Sequence, residues 1–138
     1  MKQIIMTDFT IDTNILIYSH DNTATFKQDI ARDLIVEQPV VSNQVVSEYI
    51  NVLQRIVGIK KEQIFEMCLP NLKHCNITMI DIKTLQLAEK IMKRYDFQIF
   101  DAIIVAAALE TGCKILYSED MHNELFIEKQ LKIINPFL

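Results

Sequence analysis

Short apolar runs rich in β-branched residues alternate with stretches of helical periodicity along the whole chain, and this alternation narrows the fold more than any other feature. Phe9 and Ile11 lead a first strand, followed by a helix through Ile15, Leu16 and Tyr18 that Thr13 or Asn14 can cap. Phe26, Ile30 and Leu34 recur at helical spacing, so Thr25 to Glu37 is expected to be a helix ended by Pro39. Val40 and Val41 make a second strand, and Ser42 caps a helix with Val45, Val46, Tyr49, Ile50 and Leu53 on one arc, closed by Gly58. A helix from about Lys60 is disturbed at Pro70, and Ile77 with Met79 mark a third strand. Leu85, Ala88, Ile91, Met92 and Tyr95 define the next helix. The stretch DAIIVAAALETG, opening at Asp101 and stopping at Gly112, is apolar nearly all round and is therefore expected inside the fold. Ile115 to Ser118 is a strand, and Leu131 to Ile134 supplies an edge strand. The expectation is a three-layer α/β fold, a central parallel sheet flanked by helices.

With 138 residues, half of them hydrophobic, residues 1–138 are expected to form one domain. No apolar run reaches the roughly 18 residues that cross a bilayer, and Met1, Lys2 and Gln3 before a brief apolar run make a poor signal peptide. No membrane association and a cytoplasmic location are expected. Cys68, Cys75 and Cys113 are odd in number and without CxxC spacing, which argues against a disulfide framework or a thiolate zinc site. A net charge of −4 argues against holding nucleic acid on a broad basic surface. Gly58 and Gly112 are the only glycines, too few for a Walker loop or a dinucleotide-binding turn.

Against that apolar background the polar break at Asp12, Thr13 and Asn14 needs a reason, because a buried unpaired carboxylate is strongly unfavourable. In an open parallel sheet, ligands bind beyond the carboxyl ends of the strands. Asp12 follows strand one, Glu48 lies on the helix after strand two, Asp101 opens the buried helix, and Asp120 follows the strand Ile115 to Ser118. All four acids can meet at one edge. Two carboxylates about 4 Å apart repel by roughly 4 kcal/mol at an effective dielectric near 20, so such a cluster calls for protons or a cation. Oxygen donors without spaced Cys or His favour Mg²⁺ or Mn²⁺, and the matching chemistry is metal-assisted phosphodiester hydrolysis. Thr13, Asn14 and Ser118 are suited to orienting the acids or a water.

DTNIL at Asp12 to Leu16, SEY at Ser47 to Tyr49, FDAIIVAAAL at Phe100 to Leu109 and LYSED at Leu116 to Asp120 together resemble a PIN domain, over nearly the whole chain and in the family's order. In size and layout the chain is most similar to the VapC-type toxins of type II toxin-antitoxin pairs. That resemblance implies an Mg²⁺-dependent endoribonuclease with Asp12, Glu48, Asp101 and Asp120 as its acids, an RNA substrate, a homodimer, and an antitoxin covering the active-site groove. Apolar side chains at Ile50, Leu53 and Ile56 are available for such packing. Glu119 stands beside Asp120 and either can face the metal; Asp120 is favoured, with Glu119 secondary.

Each residue has a plainer reading. Alone, Asp12 would be a helix cap, Glu48 a solvated helix residue, and Asp101 an acid at a helix N-terminus. His20, His74 and His122 are scattered without ligand spacing, although His122 falls near the acids. Lys60, Lys61, Lys90, Lys93 and Arg94 read as solvated helix faces; of these, Lys93 and Arg94 are the candidate phosphate contacts. A haloacid-dehalogenase-type phosphatase would need an acid where Asn14 stands, and a receiver domain would need an acidic neighbour for Asp12. The remaining alternative is a catalytically silent PIN-fold RNA- or protein-binding module, against which the presence of all four acids counts.

Overall fold

The computed structural model describes residues 8–56 and 58–138. The leading apolar run weighed as a signal peptide lies outside the described residues. Six strands form one sheet: β1 (Phe9–Ile11), β2 (Val40–Ser42), β3 (Asn76–Thr78), β4 (Ile115–Tyr117), β5 (Phe126–Ile127) and β6 (Leu131–Ile134). They run in the order β3-β2-β1-β4-β6-β5, and every pairing is parallel except β5 with β6. Helices α1 (Thr13–Tyr18), α2 (Thr25–Val36), α3 (Asn43–Arg55), α4 (Ile64–Leu72), α5 (Ile82–Tyr95) and α6 (Ile99–Glu110) flank the sheet, giving the expected three-layer α/β arrangement. Among the described residues no helix is long and apolar enough to cross a membrane.

Local sequence explains the elements. The Ser42 side chain accepts from the Val45 amide and caps α3, as read from the sequence. Helix α6 is buried from Ala102 to Ala108, matching its lack of a polar face. It ends in paired bonds from Cys113 N–H to the Ala108 carbonyl and from Gly112 N–H to the Leu109 carbonyl, with Gly112 at φ +75°, a conformation in which a side chain would be strained. Two strongly apolar surfaces meet there: Ala88 of α5 against Ala102, Ile103 and Ala106 of α6, and Val105 and Ala108 against the main core of Ile11, Val41, Leu116 and Ile133.

Four expectations need correction. Asp12, rather than Thr13 or Asn14, is the N-cap of α1, because its carboxylate accepts from the Thr13 amide. Pro70 does not end α4; it sits in the last turn, where only one hydrogen bond is lost, and the helix continues to Leu72. Residues Leu131–Ile134 are not an edge, because β5 pairs outside them through Phe126 and Ile127. Helix α6 starts at Ile99, two residues before Asp101, which places that acid inside the first turn.

Sheet order fixes where a ligand can bind. The chain passes from β1 to β2 and β3 on one side, then returns to β4 on the other side of β1. The crevice beyond the carboxyl ends of β1 and β4 is therefore the switch point of the sheet. Asp12 follows β1 and Ser118 follows β4, in register through the Ile11 and Tyr117 pair and the Asp12 N–H to Tyr117 carbonyl bond of 3.0 Å.

Candidate functional site

A cavity of about 330 Å³ opens at that switch point, lined by Asp12, Thr13, Asn14, Glu48, Asn51, Val52, Arg55, Asp101 and Asp120. The structure thus brings all four nominated acids to one cavity. Asp12 comes from the β1 to α1 junction, Glu48 from the second turn of α3, Asp101 from the first turn of α6, and Asp120 from the loop after β4.

Short side chains hold the acids in place. Ser118, fully buried, donates its hydroxyl to Asp12 Oδ2 at 2.9 Å and accepts from the amides of Asp120 and Met121 at 3.3 and 3.2 Å. One hydroxyl therefore ties the loop after β4 to the acid after β1. The Thr13 amide donates to Asp12 Oδ1 at 2.7 Å, and its hydroxyl donates to Glu48 Oε2 at 2.8 Å. Gln44, one turn earlier on α3, holds the other Glu48 oxygen at 3.0 Å. Asn14 donates its side-chain amide to Asp120 Oδ2. Each of Thr13, Asn14 and Ser118 therefore bonds an acid directly.

The electrostatics are unfavourable by design of the fold. Asp12 is only 8 % exposed. Burial pushes its carboxyl from 3.8 up to about 6; the Ser118 and Thr13 hydrogen bonds pull it down, and the charges of Asp101 and Asp120 push it up again. Asp101 is also raised, first by burial and then by Asp120 and Glu48. Hard oxygen donors with uncompensated negative charge fit Mg²⁺ or Mn²⁺ and offer no nitrogen or sulfur to a softer ion. Among the described residues no three His, Cys, Asp or Glu side chains stand close enough together to enclose an ion by themselves. Acids that share a cavity without enclosing an ion suit Mg²⁺ better than a fully protein-caged cation, because Mg²⁺ takes one or two carboxylates and keeps several of its waters.

Glu119 turns away from the cavity. Its Oε1 lies 2.8 Å from Lys27 Nζ, and this bond is the first cause of a carboxyl held below its usual value. Between the two adjacent acids, Asp120 is the one that lines the cavity. Lys93 and Arg94 are not brought there either. They end α5, where Lys93 lies 4.0 Å from Glu89 and Arg94 grips both oxygens of Glu128 at 2.6 and 2.8 Å. The cation that does line the cavity is Arg55, with Asn51 one turn before it. Sequence reasoning missed both. The signal was present, since 48, 51 and 55 share one face of α3.

The family model described as PIN domain matches residues 9–125. Among curated proteins none matches this chain in sequence. Among solved structures, a toxin-antitoxin complex from Klebsiella pneumoniae is similar with a TM-score of 0.68 at 19% identity, covering 94% of this chain and 98% of that one. VapC20 of Mycobacterium tuberculosis, a sarcin-ricin loop cleaving toxin, is similar with a TM-score of 0.63 at 19% identity, covering 81% of this chain and 89% of that one.

Proposed function

This chain belongs to the PIN domain family, and we propose that it is a divalent-cation-dependent endoribonuclease acting as the toxin of a toxin-antitoxin pair. The observation that carries the reading is the cavity itself: four carboxylates from four elements converge at the switch point, where burial, reinforced by the charges of Asp101 and Asp120, lifts Asp12 to about 6. The likeness to a toxin-antitoxin complex and to a toxin that cleaves RNA supports the substrate class and the biological setting.

Asp12, Asp101 and Asp120, with Glu48, would hold Mg²⁺ or Mn²⁺. When bound, the cation supplies Lewis acidity toward water and phosphate oxygens. The chain supplies the rest. Ser118 and Thr13 lock Asp12 so that both its oxygens keep one orientation, and Asn14 does the same for Asp120. Arg55, at the cavity wall, binds a phosphate of the RNA and counters the charge that otherwise repels the substrate. Water, rather than the ribose 2′-hydroxyl, attacks phosphorus, so the products carry a 5′-phosphate and a 3′-hydroxyl.

Partner proteins follow from the same reading. Leu53 is fully buried and cannot pack against a partner, which corrects the expected apolar patch; Ile56 at the end of α3 remains 40 % exposed, and Phe65 and Leu69 on α4 are exposed too. Met79 and Ile82 near the start of α5, and Ile99 and Phe100 at the start of α6, are each more than half exposed as well. Surfaces of this kind mark protein contacts, and a homodimer and an antitoxin are the proposed occupants.

The test is cleavage of RNA by purified protein. Cleavage with Mg²⁺ or Mn²⁺ that stops on chelation and leaves 5′-phosphate ends is expected. Chelator-resistant cleavage, 2′,3′-cyclic phosphate ends, or no cleavage of any RNA with either cation would overturn the reading.

A further inference from the structure

A second cavity, of about 360 Å³, shares Asp101 and Asp120 with the acid cavity and continues away from Arg55. Its chemistry is different. Among the described residues no Lys or Arg lines it; beside the shared acids the walls are Tyr95, Asp96, Phe97, Gln98, Met121 and His122. Helix α5 ends at Tyr95, and Asp96 takes a left-handed conformation at φ 58°, ψ 45°, which reverses the chain between the two rings. The Phe97 ring then lies 6.2 Å from that of Tyr95 at 44°. Tyr95 is fixed from behind, because its hydroxyl accepts from the Glu128 amide at 3.0 Å. Gln98 is the N-cap of α6, yet its side chain makes no capping bond. Opposite, Met121 is buried and the His122 ring is exposed. Among the described residues neither Gln98 nor His122 has a side-chain hydrogen bond, so an amide with donor and acceptor and an imidazole remain available.

We infer that this cavity is a subsite for one unpaired nucleobase, that of the nucleotide next to the scissile phosphate, with Phe97 and His122 offering flat faces and Gln98 reading an edge. The inference rests on the ribonuclease reading. A phosphodiester seated at Asp101 and Asp120 has Arg55 on one side and this cavity on the other. The cationic end suits a phosphate of the backbone, and the end with aromatic rings and carboxylates but no cation suits a neutral base rather than a second phosphate. Base stacking on an aromatic side chain contributes enough that truncating it weakens binding by roughly tenfold.

The experiment uses five-nucleotide RNAs, each carrying a single 2-aminopurine, bound to the full chain bearing Asp12→Asn in Mg²⁺, so that turnover is suppressed. Anisotropy reports binding and the fall in 2-aminopurine emission reports stacking. The expected result is a quenched complex, with Phe97→Leu and His122→Ala each weakening binding roughly tenfold and abolishing most of the quenching. Phe97→Leu keeps an apolar side chain where Phe97 packs on the core, and His122 is exposed, so both variants should remain folded by circular dichroism, Phe97→Leu with a modest loss of stability; Phe26→Ala, exposed on α2 and in neither cavity, should bind as the parent does. RNA bound without quenching, or bound equally well by both variants, overturns the subsite. Failure to bind any of the RNAs overturns it as well. The ribonuclease reading is judged separately, by cleavage with the unsubstituted chain, and survives any of these failures if that chain cuts RNA.

Discussion

Glu119 and Asp120 are neighbours in sequence, but they belong to regions of opposite electrostatic character. On the Glu119 side the charge is matched: Lys27 Nζ lies 2.8 Å from the carboxylate, and the same ammonium rests over the rings of Tyr18 and Phe137 at 4.8 and 5.4 Å. On the Asp120 side four acids line a cavity whose one cationic residue is the exposed Arg55. Carboxyl groups respond in opposite directions, with Glu119 held below its ordinary value and Asp12 lifted to about 6. The difference teaches how this fold distinguishes scaffold from site. One carboxylate has its charge met by a neighbouring ammonium, whereas the cavity acids, on the proposed reading, leave most of theirs to a ligand.

The largest expected effect comes from removing one charge of the acid cavity. Asp12→Asn keeps one oxygen to accept from the Thr13 amide, turns an NH2 donor toward Ser118 and removes a proposed cation ligand, so RNA cleavage should fall by a factor on the order of 100 or more. Metal-free stability at pH 8 should be unchanged or higher, as relief of burial and repulsion offsets a weakened cap. A helix cap and nothing more would give the reverse: stability lower by about 1 kcal/mol and activity per folded molecule intact. Cleavage rates and urea unfolding of the same preparations separate the two.

Acidity sharpens the comparison further. Asp12 has a folded value of about 6 against 3.8 when unfolded, so it binds more protons in the folded state between those values. Its contribution is present in full below about 3.8 and lost as pH rises through about 6, on the order of 3 kcal/mol for a rise from 3.8 to about 6. Glu119 has the opposite sign: lowered from 4.5, it stabilises above that value and its contribution is lost as pH falls. Urea unfolding of the metal-free chain across pH 3 to 8 should therefore show a decline toward neutral pH that is much smaller in Asp12→Asn, where only the raised Asp101 still contributes. In Glu119→Gln the decline should remain and the acid-side loss should shrink.

Smaller effects are expected from the cations. Arg55→Ala should raise KM for RNA roughly tenfold with kcat within about twofold, and lower the salt dependence of binding by about one phosphate contact. A fall in kcat alone would instead place Arg55 at the reacting phosphate. Lys27→Met should do least, with a slight loss of stability and kcat within about threefold, because Lys27 acts only by keeping Glu119 out of the cavity. A large loss of cleavage there would mean that the two regions are not separate.

Much of this arrangement was readable before any coordinates, for physical reasons that also explain what was not. Asp12 stood out because a polar break in an apolar run needs compensation, and α6 because a helix without a polar face has to be buried. Both signals are local. Separating Asp120 from Glu119 required Lys27, a partner 92 positions away. Lys93 and Arg94 looked like a free basic pair, and Glu128, 34 positions from Arg94, is what occupies the latter. Arg55 and Asn51 lacked only a reference point: once Glu48 is taken to face a site, helical spacing places them beside it. Strand β5 has two residues, and its existence depends on pairing with β6 rather than on any pattern of its own.

The central claim, that the acid cavity is built to be neutralised by a divalent cation, is tested most directly by thermal unfolding of the parent and of Asp12→Asn at pH 8, each with a chelator and with saturating Mg²⁺. At about 100 times its dissociation constant a ligand stabilises the folded state by about 2.7 kcal/mol, several degrees for a chain of this size. The account predicts that rise for the parent and little or none for Asp12→Asn, whose metal-free form should already unfold at or above the metal-free parent. A parent indifferent to Mg²⁺, or an equal rise in both proteins, would contradict it.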